Sequence, residues 1–382
     1  MRISRATATG IYINTVGIKN NLNKIKLIIP YKIISVLKSN AYGLGIENIL
    51  PTVMNSVYKV AINDIEEYFN HKLYNFPINF ILLFPELDEN LITDVLRYPN
   101  VEICINSREM LEILSKIKDI KIKAHLEVDT GMNRTGIRYD NRIILADNIE
   151  LVGIYTHLKN DIIQDNTEQI IKFYEFIESN GIALTRLDIG ILSTTGVLNY
   201  PSFLKVDDYR VNFILKVSNT ARVGILQYGI VPSVKYLRLK EELNLRSCIK
   251  MEVGFLGSKI VKKGETIGYT SKYLNLAHKD LLIGLAYLGY SKIPFCNNLY
   301  FDVVTDRRRF IAKSVGTMSM DIVAFDLSDL NDGENIKKIY LLSENIDLEV
   351  QAELNNHLVY NFLTCMGSIK KYLYGGDNYP EV

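Results

Sequence analysis

The chain has 382 residues, of which 48% are hydrophobic and 23% are charged, and its formal net charge is +1. This length exceeds the size at which a single hydrophobic core usually stops growing, so we predict two domains. The small net charge gives no electrostatic reason to expect a nucleic acid or an acidic membrane as a partner.

Between about residues 30 and 230, short apolar runs alternate with segments of helical spacing. Two helices have recognisable ends: SREMLEILSKIK is predicted to begin after an N-cap at Ser107, and TEQIIKFYEFIESNG to extend from Thr167 to Gly181. The apolar runs are continuous rather than alternating, which favours a parallel sheet covered on both faces. Eight such runs predict a (β/α)8 barrel. The runs are KIISVLK, YKVAIN, NFILLF, VEICIN, IKAHLEVD, ELVGIYTHL, RLDIGIL and ARVGILQYG.

After about residue 235 the sequence becomes rich in β-branched residues and glycine turns, and helical patterns are few. This composition is typical of an antiparallel β domain. We therefore predict an α/β protein with a (β/α)8 barrel domain over residues 1–235 and a mainly antiparallel β domain over residues 236–382. The first ~10 residues could join the β domain.

The four cysteines are scattered along the chain without the paired spacing of a zinc site or a disulfide framework. That usage is typical of a reducing compartment. The N-terminal residues lack the apolar segment of a signal peptide, and no apolar run is long enough to span a bilayer. We therefore predict a soluble cytoplasmic protein without a metal site. The cysteines are Cys104, Cys248, Cys296 and Cys365.

Lys38 follows the first predicted barrel strand, in the stretch VLKSNAYGLG. Barrels of this kind place their active site at the carboxyl ends of the strands, so Lys38 would face that mouth. A desolvated lysine there can have a lowered pKa and form a Schiff base with a carbonyl group. The alternative is a solvated strand end, which is the commoner situation for an isolated lysine.

The loops after predicted strands seven and eight are where such barrels bind phosphate. ILSTTG offers the hydroxyl of Ser193, and RVGILQYG offers the backbone N–H groups of Gly224 and Ile225. Either loop alone could be an ordinary turn. A reactive lysine combined with a phosphate cradle is the arrangement that holds pyridoxal 5'-phosphate, which we predict as the cofactor.

VLKSNAYGLG resembles the cofactor-lysine motif of the alanine racemase family, and further motifs of that family follow in the same order along nearly the whole chain. The resemblance implies a pyridoxal-phosphate-dependent enzyme that interconverts L-alanine and D-alanine, and it implies a supply of D-alanine for a bacterial cell wall. The motifs are EVDTGMNRTGIR (127–138), YTHL (155–158), ARVGILQYGIVPS (221–233), TIGYTSKY (266–273), GYSK (289–292) and VGTMSMDIVAFDLSD (315–329).

The resemblance also implies catalytic roles. Lys38 would bind the cofactor and act as one of two bases at the substrate Cα. Tyr269 would be the base on the opposite face and would come from the second subunit of a homodimer. His157 and Arg222 would set the environment of this tyrosine, and Arg222 would also hydrogen-bond the pyridine nitrogen of the cofactor.

Binding roles are implied for a second group of residues. Arg134 and the backbone of Met320 would contact the substrate carboxylate. The contacts implied for the cofactor phosphate are Tyr42, Ser193, Gly224 and Ile225.

The chain departs from the family pattern at several positions. Glu127 stands where many members carry a carbamylated lysine, and its own carboxylate could preserve the charge pairing with Arg134. Leu192 replaces the asparagine that usually precedes the phosphate-binding serine. Ser291 and Lys292 replace an aspartate and a glycine near the substrate entrance, so the preferred amino acid is left open.

Three alternative functions remain. A racemase of serine or of broad specificity would share all of these motifs. A barrel-type amino-acid decarboxylase would be expected to carry a catalytic cysteine late in the chain, but Cys365 has no such sequence context. A pyridoxal-phosphate-binding protein without activity would consist of a single barrel, and the second domain and Tyr269 argue against it.

Overall fold

The structure is a computed structural model that describes residues 8–271, 273–274 and 280–375. The chain divides into two compact units. The first, called here the barrel unit, comprises Leu22–Ala41 and Ile46–Gln227. The second, called the β unit, comprises Met1–Asn21, Tyr42–Gly45 and Tyr228–Val382. The domain boundary predicted between residues 235 and 236 stays a prediction.

The strands and helices of the described residues are numbered in chain order. The strands are β1 (Gly10–Asn14), β2 (Lys32–Val36), β3 (Lys59–Ile62), β4 (Phe80–Leu82), β5 (Val101–Ile105), β6 (Ile122–Asp129), β7 (Ile137–Arg138), β8 (Ile149–Thr156), β9 (Asp188–Gly190), β10 (Thr220–Val223), β11 (Ile249–Glu252), β12 (Gly254–Val261), β13 (Thr266–Ile267), β14 (Tyr273–Leu274), β15 (Leu281–Tyr287), β16 (Tyr300–Thr305), β17 (Arg309–Val315), β18 (Val323–Asp326), β19 (Ile336–Leu342) and β20 (Lys370–Tyr374). The helices are α1 (Thr15–Ile28), α2 (Lys38–Tyr42), α3 (Ile46–Val53), α4 (Ile65–Asn70), α5 (Glu89–Val95), α6 (Arg108–Lys116), α7 (Ile163–Ser179), α8 (Thr194–Phe203), α9 (Tyr209–Val217), α10 (Leu237–Glu242), α11 (Leu348–Leu354) and α12 (Val359–Cys365).

The barrel unit is built on a parallel sheet whose strand order is β10-β2-β3-β4-β5-β6-β8-β9, with the short β7 paired to β6. A parallel bridge between Leu192 and Ala221 links the end of β9 to β10 and closes the sheet on itself. Strands β3, β4 and β5 are buried along their whole length, as expected for strands covered on both faces. All eight apolar runs predicted as strands form this barrel, so the predicted fold class is confirmed.

The two predicted helices differ in outcome. Helix α6 begins after Ser107, whose hydroxyl accepts the N–H of Met110, as predicted. Helix α7 ends before Gly181, which has φ +60°, also as predicted. Its predicted start at Thr167 is wrong, because α7 begins at Ile163. The preceding turn is held by the side chain of Asn160, which accepts the N–H of residue 162 and donates to residue 165, and it initiates the helix one turn earlier.

The β unit contains a mainly antiparallel sheet with the order β12-β15-β18-β17-β16-β19-β11-β1-β20. Strand β1 lies between β11, to which it is antiparallel, and β20, to which it is parallel. A small apolar core is packed around β12, β13, β15 and β17. Its members are Val261, Ile267, Leu281, Ile283 and Val315.

No helix within the described residues is both long enough and apolar enough to cross a membrane. All four cysteines are free thiols, and only Cys365 is exposed.

Candidate active site

Lys38 lies two residues after the last residue of β2, at the carboxyl end of a barrel strand. Its Nζ is 5.4 Å from the ring centre of Phe84, within the range of a cation–π contact. Burial lowers the pKa of Lys38, and the charge of Arg134 lowers it further, whereas Glu127 and Glu67 oppose this effect. A lowered pKa increases the fraction of neutral amine, which is the nucleophilic and basic form of lysine.

The residues after Lys38 form a left-handed helical turn. Ser39, Asn40 and Ala41 have φ values of 55°, 54° and 54°, and Tyr42 follows with 59°. The N–H of Ala41 donates to the carbonyl of Leu37 at 2.7 Å, which closes one turn. Each non-glycine residue in this conformation costs about 1–2 kcal/mol. Such a turn persists only where its surroundings hold it in place, and strained backbone of this kind clusters at functional sites.

Arg222 lies on β10, the last strand of the barrel, and its side chain is buried. Its Nη2 donates to the carbonyl of Thr156 at 2.7 Å, and its guanidinium lies 4.0 Å from the ring centre of Tyr155. Burial lowers the pKa of Arg222, and the neighbouring Tyr155 and Glu127 oppose the change. Arginine nevertheless stays protonated in proteins. The barrel therefore holds a fixed positive charge at the ends of β8 and β10.

His157 directly follows β8 and is half-buried. Burial lowers the pKa of His157 to about 3, with further lowering by Arg222, Arg134 and Lys38. The imidazole is therefore neutral at physiological pH. The backbone carbonyl of His157 accepts a hydrogen bond from Nε2 of Gln169 at 3.1 Å, so helix α7 fixes the position of this residue.

Glu127 on β6 is only 3% exposed, and its Oε2 has no hydrogen-bond partner of good geometry among the described residues. Burial raises the pKa of Glu127, while the charges of Arg222 and Arg134 lower it. Arg134 lies in the loop after β6, where Oδ1 of Asp129 accepts the N–H groups of Gly131 and residue 133, each at 3.0 Å. Asp129 thus stabilises the loop backbone that carries Arg134.

The loops after β9 and β10, the seventh and eighth barrel strands, offer backbone donors at the same end of the barrel as Lys38. Ser193 is the N-cap residue of the ten-residue helix α8, and its side chain makes no capping hydrogen bond. Gly224 and Ile225 directly follow β10, where a 3-10 turn begins. A helix N-terminus with an available hydroxyl and adjacent N–H groups is a suitable environment for a phosphate dianion.

On the β unit, Tyr42 is buried between two other tyrosines. Its ring centre is 6.2 Å from that of Tyr360 and 6.4 Å from that of Tyr228. Burial raises the pKa of Tyr42 and the neighbouring Tyr360 adds to the effect, so Tyr42 keeps its proton and remains a donor. The sequence analysis did not identify Tyr360 as a neighbour of Tyr42. An aromatic residue between the buried Val359 and Phe362 is typical of a helix packed in a core, so it carries no sign of a site.

Tyr269 and Met320 are also on the β unit, and both side chains are exposed, by 66% and 55%. Tyr269 opens a 3-10 turn, and its carbonyl accepts a hydrogen bond from the hydroxyl of Thr317 at 3.3 Å. The carbonyl of Met320 accepts the N–H of Ser291 at 3.0 Å. Tyr269 is therefore not packed in the core, which would have been the ordinary situation for one of the 24 tyrosines of the chain.

Two family models match successive parts of the chain. The model "Alanine racemase, N-terminal domain" matches residues 13–232, and the model "Alanine racemase, C-terminal domain" matches residues 249–374. The chain belongs to the alanine racemase family.

Individual relatives agree with this family assignment. The alanine racemase of Borreliella burgdorferi is 27% identical over 95% of this chain and 96% of the relative. The amino-acid racemase of Enterococcus faecalis is 30% identical over 91% of this chain and 50% of the relative. The solved structure of alanine racemase from Clostridium difficile 630 has a TM-score of 0.80 at 19% identity and covers 97% of both chains. The structure from Acinetobacter baumannii has a TM-score of 0.76 at 18% identity and covers 97% of this chain and 99% of that one. At these identities the two structures support the fold alone.

In this member of the alanine racemase family, Ser291 and Lys292 share one acceptor. Oδ1 of Asp321 accepts the Ser291 hydroxyl at 2.7 Å and the Lys292 ammonium at 3.2 Å. The Lys292 ammonium also lies 4.1 Å from the ring centre of Tyr287. Because Asp321 follows Met320, the two substituted positions are tied to the loop that presents Met320.

A cavity of about 430 Å³ adjoins Arg134 and Phe84 on the barrel unit of this alanine racemase family member. Its lining combines apolar side chains such as Leu87 with polar and charged ones such as Asp129. The other lining residues are Pro85, Leu87, Asn106, Ser107, Asp129, Asn133, Thr135 and Gly136.

A buried ion cluster lies inside the barrel, and its four residues are not part of the quoted motifs of the alanine racemase family. The ammonium of Lys59 is 2.6 Å from Glu102 and 2.7 Å from Asp188, and Nε2 of His125 is 2.5 Å from Glu102. The two carboxylates and the histidine have the spacing of a metal-ligand set. Lys59 supplies the positive charge at this position, so the cluster is a structural ion network.

Proposed function

We propose that this protein is a pyridoxal-phosphate-dependent racemase that interconverts L-alanine and D-alanine. The observation that carries the proposal is Lys38, placed at the carboxyl end of a barrel strand with a lowered pKa. Family membership and the Borreliella burgdorferi relative named alanine racemase support the same activity.

The residues at the barrel mouth fit the cofactor. The hydroxyl of Ser193, the N-terminus of α8 and the N–H groups of Gly224 and Ile225 suit its phosphate, and the amine of Lys38 suits its aldehyde. We propose that Tyr42 joins these phosphate contacts. When bound, pyridoxal phosphate withdraws electrons from the substrate Cα and makes its proton removable. The alanine racemase of Bartonella henselae has been solved with covalently bound pyridoxal phosphate.

In the proposed mechanism, the chain supplies two bases. The neutral amine of Lys38 exchanges a proton with the substrate Cα on one face, and Tyr269 of the second subunit of a homodimer exchanges a proton on the other. Removal from one face and return to the other inverts the configuration. Arg222 keeps a positive charge toward the cofactor ring nitrogen, and the neutral His157 adds no second charge.

The substrate carboxylate is proposed to bind to the guanidinium of Arg134 and the backbone N–H of Met320. Arginine presents a fork of donors that matches a carboxylate. The exposure of Met320 and Arg134 is compatible with ligand access.

A second candidate is a racemase of serine or of broad specificity. Two observations favour it: the Enterococcus faecalis relative is named amino-acid racemase, and Ser291 and Lys292 alter the entrance segment. The cytoplasmic location and the supply of D-alanine to a cell wall stay predictions.

One experiment separates these functions. The purified protein is loaded with pyridoxal phosphate and incubated in deuterated water with L-alanine, L-serine and other single amino acids, and chirality, Cα deuteration and carbon dioxide are measured. D-alanine with Cα deuterium supports the leading proposal, and a preference for another amino acid supports the second. Carbon dioxide release would replace both with a decarboxylase, and no reaction would leave a binding protein.

A further inference from the structure

We propose that Glu67 is a positioning residue that stabilises the left-handed turn after Lys38 and thereby fixes where the Lys38 amine is presented. The inference rests on the proposed role of Lys38, but the turn and its contact with Glu67 are properties of the fold. Glu67 lies outside every motif that carries the family resemblance.

The carboxylate of Glu67 uses both oxygens to bridge two neighbouring strand ends. Oε1 accepts the N–H of Asn40 at 2.6 Å, inside the left-handed turn after β2. Oε2 accepts the N–H of Asn63 at 2.8 Å, directly after β3. Strands β2 and β3 are paired in parallel, so one side chain joins the backbones that emerge from both.

Glu67 is itself held rigidly. It is the third residue of α4, and its own N–H donates to the carboxylate of Asp64 at 2.8 Å. A glutamate at this position commonly bonds back to the N–H of the N-cap residue. Here it reaches one residue further back, to Asn63, and across to Asn40. The helix therefore acts as a fixed support for the turn.

Asn40 is the residue through which the turn is held from two sides. Its N–H donates to Glu67, and its side-chain Oδ1 accepts the N–H of Ile46 at 2.7 Å. Ser39, Asn40 and Ala41 are not glycines, so each bears the steric cost of the left-handed conformation. Charge-assisted hydrogen bonds are the stronger class, so we expect the bond from Asn40 to Glu67 to contribute strongly to keeping this conformation.

The charge of Glu67 also acts on Lys38. The charged groups facing Lys38 are Arg134 and Arg222, which lower the pKa of Lys38, and Glu127 and Glu67, which raise it. His157 also interacts with Lys38, and because its pKa is lowered to about 3 it is neutral. Loss of the Glu67 charge with the turn intact is therefore expected to lower the pKa of Lys38.

The test compares Glu67 with its neighbour Glu66. Glu66 is in the same helix and is exposed, so Glu66→Ala and Glu66→Gln repeat the change in charge and volume without touching the turn. In hydrogen–deuterium exchange of the full chain, we expect Glu67→Ala to accelerate exchange of the Asn40 amide by about tenfold or more, the effect of one lost charge-assisted bond. The Glu66 variants and a peptide covering Val101–Ile105 should exchange as in the unmodified protein.

The second readout is the pH dependence of Lys38 labelling by an amine-selective acylating reagent, followed by mass spectrometry on the cofactor-free chain. Glu67→Gln keeps the side-chain volume and one acceptor, and its labelling midpoint should move to lower pH, whereas that of Glu66→Gln should not. Unchanged exchange at Asn40, or a midpoint that does not fall, overturns the proposal. Both readouts remain measurable if the protein proves not to be a racemase, so the two failures are distinguishable.

Discussion

Lys38 and Arg134 lie over the same aromatic ring. The Lys38 ammonium is 5.4 Å and the Arg134 guanidinium 5.7 Å from the ring centre of Phe84. Two cations held this close disfavour each other's charge, and only lysine can respond by losing a proton. The residue proposed to bind the substrate carboxylate therefore also helps to make the proposed base available.

Replacement of Lys38 tests its assignment directly. We expect Lys38→Ala to lose racemase activity by a factor of about a thousand or more and to lose the absorption band of the lysine-bound cofactor, because no amine remains to bind or act as base. Lys32→Ala, at the exposed start of the same strand, is the control and should keep both. A persistent band in Lys38→Ala would refute the assignment.

Replacement of Arg134 should change both binding and pH dependence. Because the Arg134 charge lowers the pKa of Lys38, Arg134→Gln should raise that pKa and shift the acid limb of the kcat/KM profile to higher pH. The lost contact with the carboxylate should raise KM by about tenfold or more. Steady-state kinetics from pH 6 to 10 measures both effects. Arg138→Gln, exposed and close in sequence, should leave them unchanged, and an unshifted limb in Arg134→Gln would contradict the coupling.

Glu127 is expected to serve as the negative partner of the two arginines. Glu127→Gln leaves the guanidiniums of Arg134 and Arg222 without their buried negative partner, so kcat/KM should fall by about tenfold, the effect of one lost charge-assisted contact. Because the Glu127 charge raises the pKa of Lys38, its loss should also shift the acid limb of the kcat/KM profile to lower pH. Glu150→Gln, exposed on β8, is the matched control. Kinetics of Glu127→Gln equal to those of the control would remove this role.

Mixing two inactive variants tests the shared active site. If Lys38 of one subunit works with Tyr269 of the other, a hybrid of Lys38→Ala and Tyr269→Phe chains contains one intact site and one doubly altered site. After equal mixing and subunit exchange, about a quarter of the sites should be intact, because half of the dimers are hybrids. Activity that stays at the level of the separate variants, despite hybrids detected by native mass spectrometry, would exclude sharing.

The buried ion cluster predicts how stability depends on pH. The hydrogen bond and charge of His125, together with Lys59, lower the pKa of Glu102 from 4.5 to about 2 against the effect of burial. This stabilisation is fully present above about pH 4.5 and is lost as the pH falls toward about 2. Lys59→Met should reduce the free energy of unfolding by about 3–5 kcal/mol, because it leaves buried carboxylates without their cation. Urea unfolding measures the loss, and Lys123→Met, exposed on β6, should change it little.

The barrel strands could be predicted because their cause is local. A continuous apolar run such as FIL in β4 carries its own indication of burial on both faces, and the Ser107 cap depends only on the next three residues. The start of α7 could not be predicted from Thr167, because the side chain of Asn160 initiates the helix earlier.

The charged contacts could not be predicted, because they depend on which strands become neighbours. Glu67 reaches a backbone N–H 27 positions away in the chain. The ion pair between Lys59 and Asp188 forms only when β3 and β9 lie in one closed barrel. The left-handed turn has no sequence signal either, since serine, alanine and tyrosine rarely adopt that conformation and only asparagine favours it among them.

The turn after Lys38 sets a limit on engineering this protein for thermal resistance. Ala41→Gly would relieve the strain of the left-handed conformation, and a design procedure that scores only backbone strain would select it. The same change would also free a segment whose restricted shape aims the amine. At position 41, a change that raises thermal stability is therefore expected to loosen the placement of the Lys38 amine. Stabilising changes are better sought in the β unit.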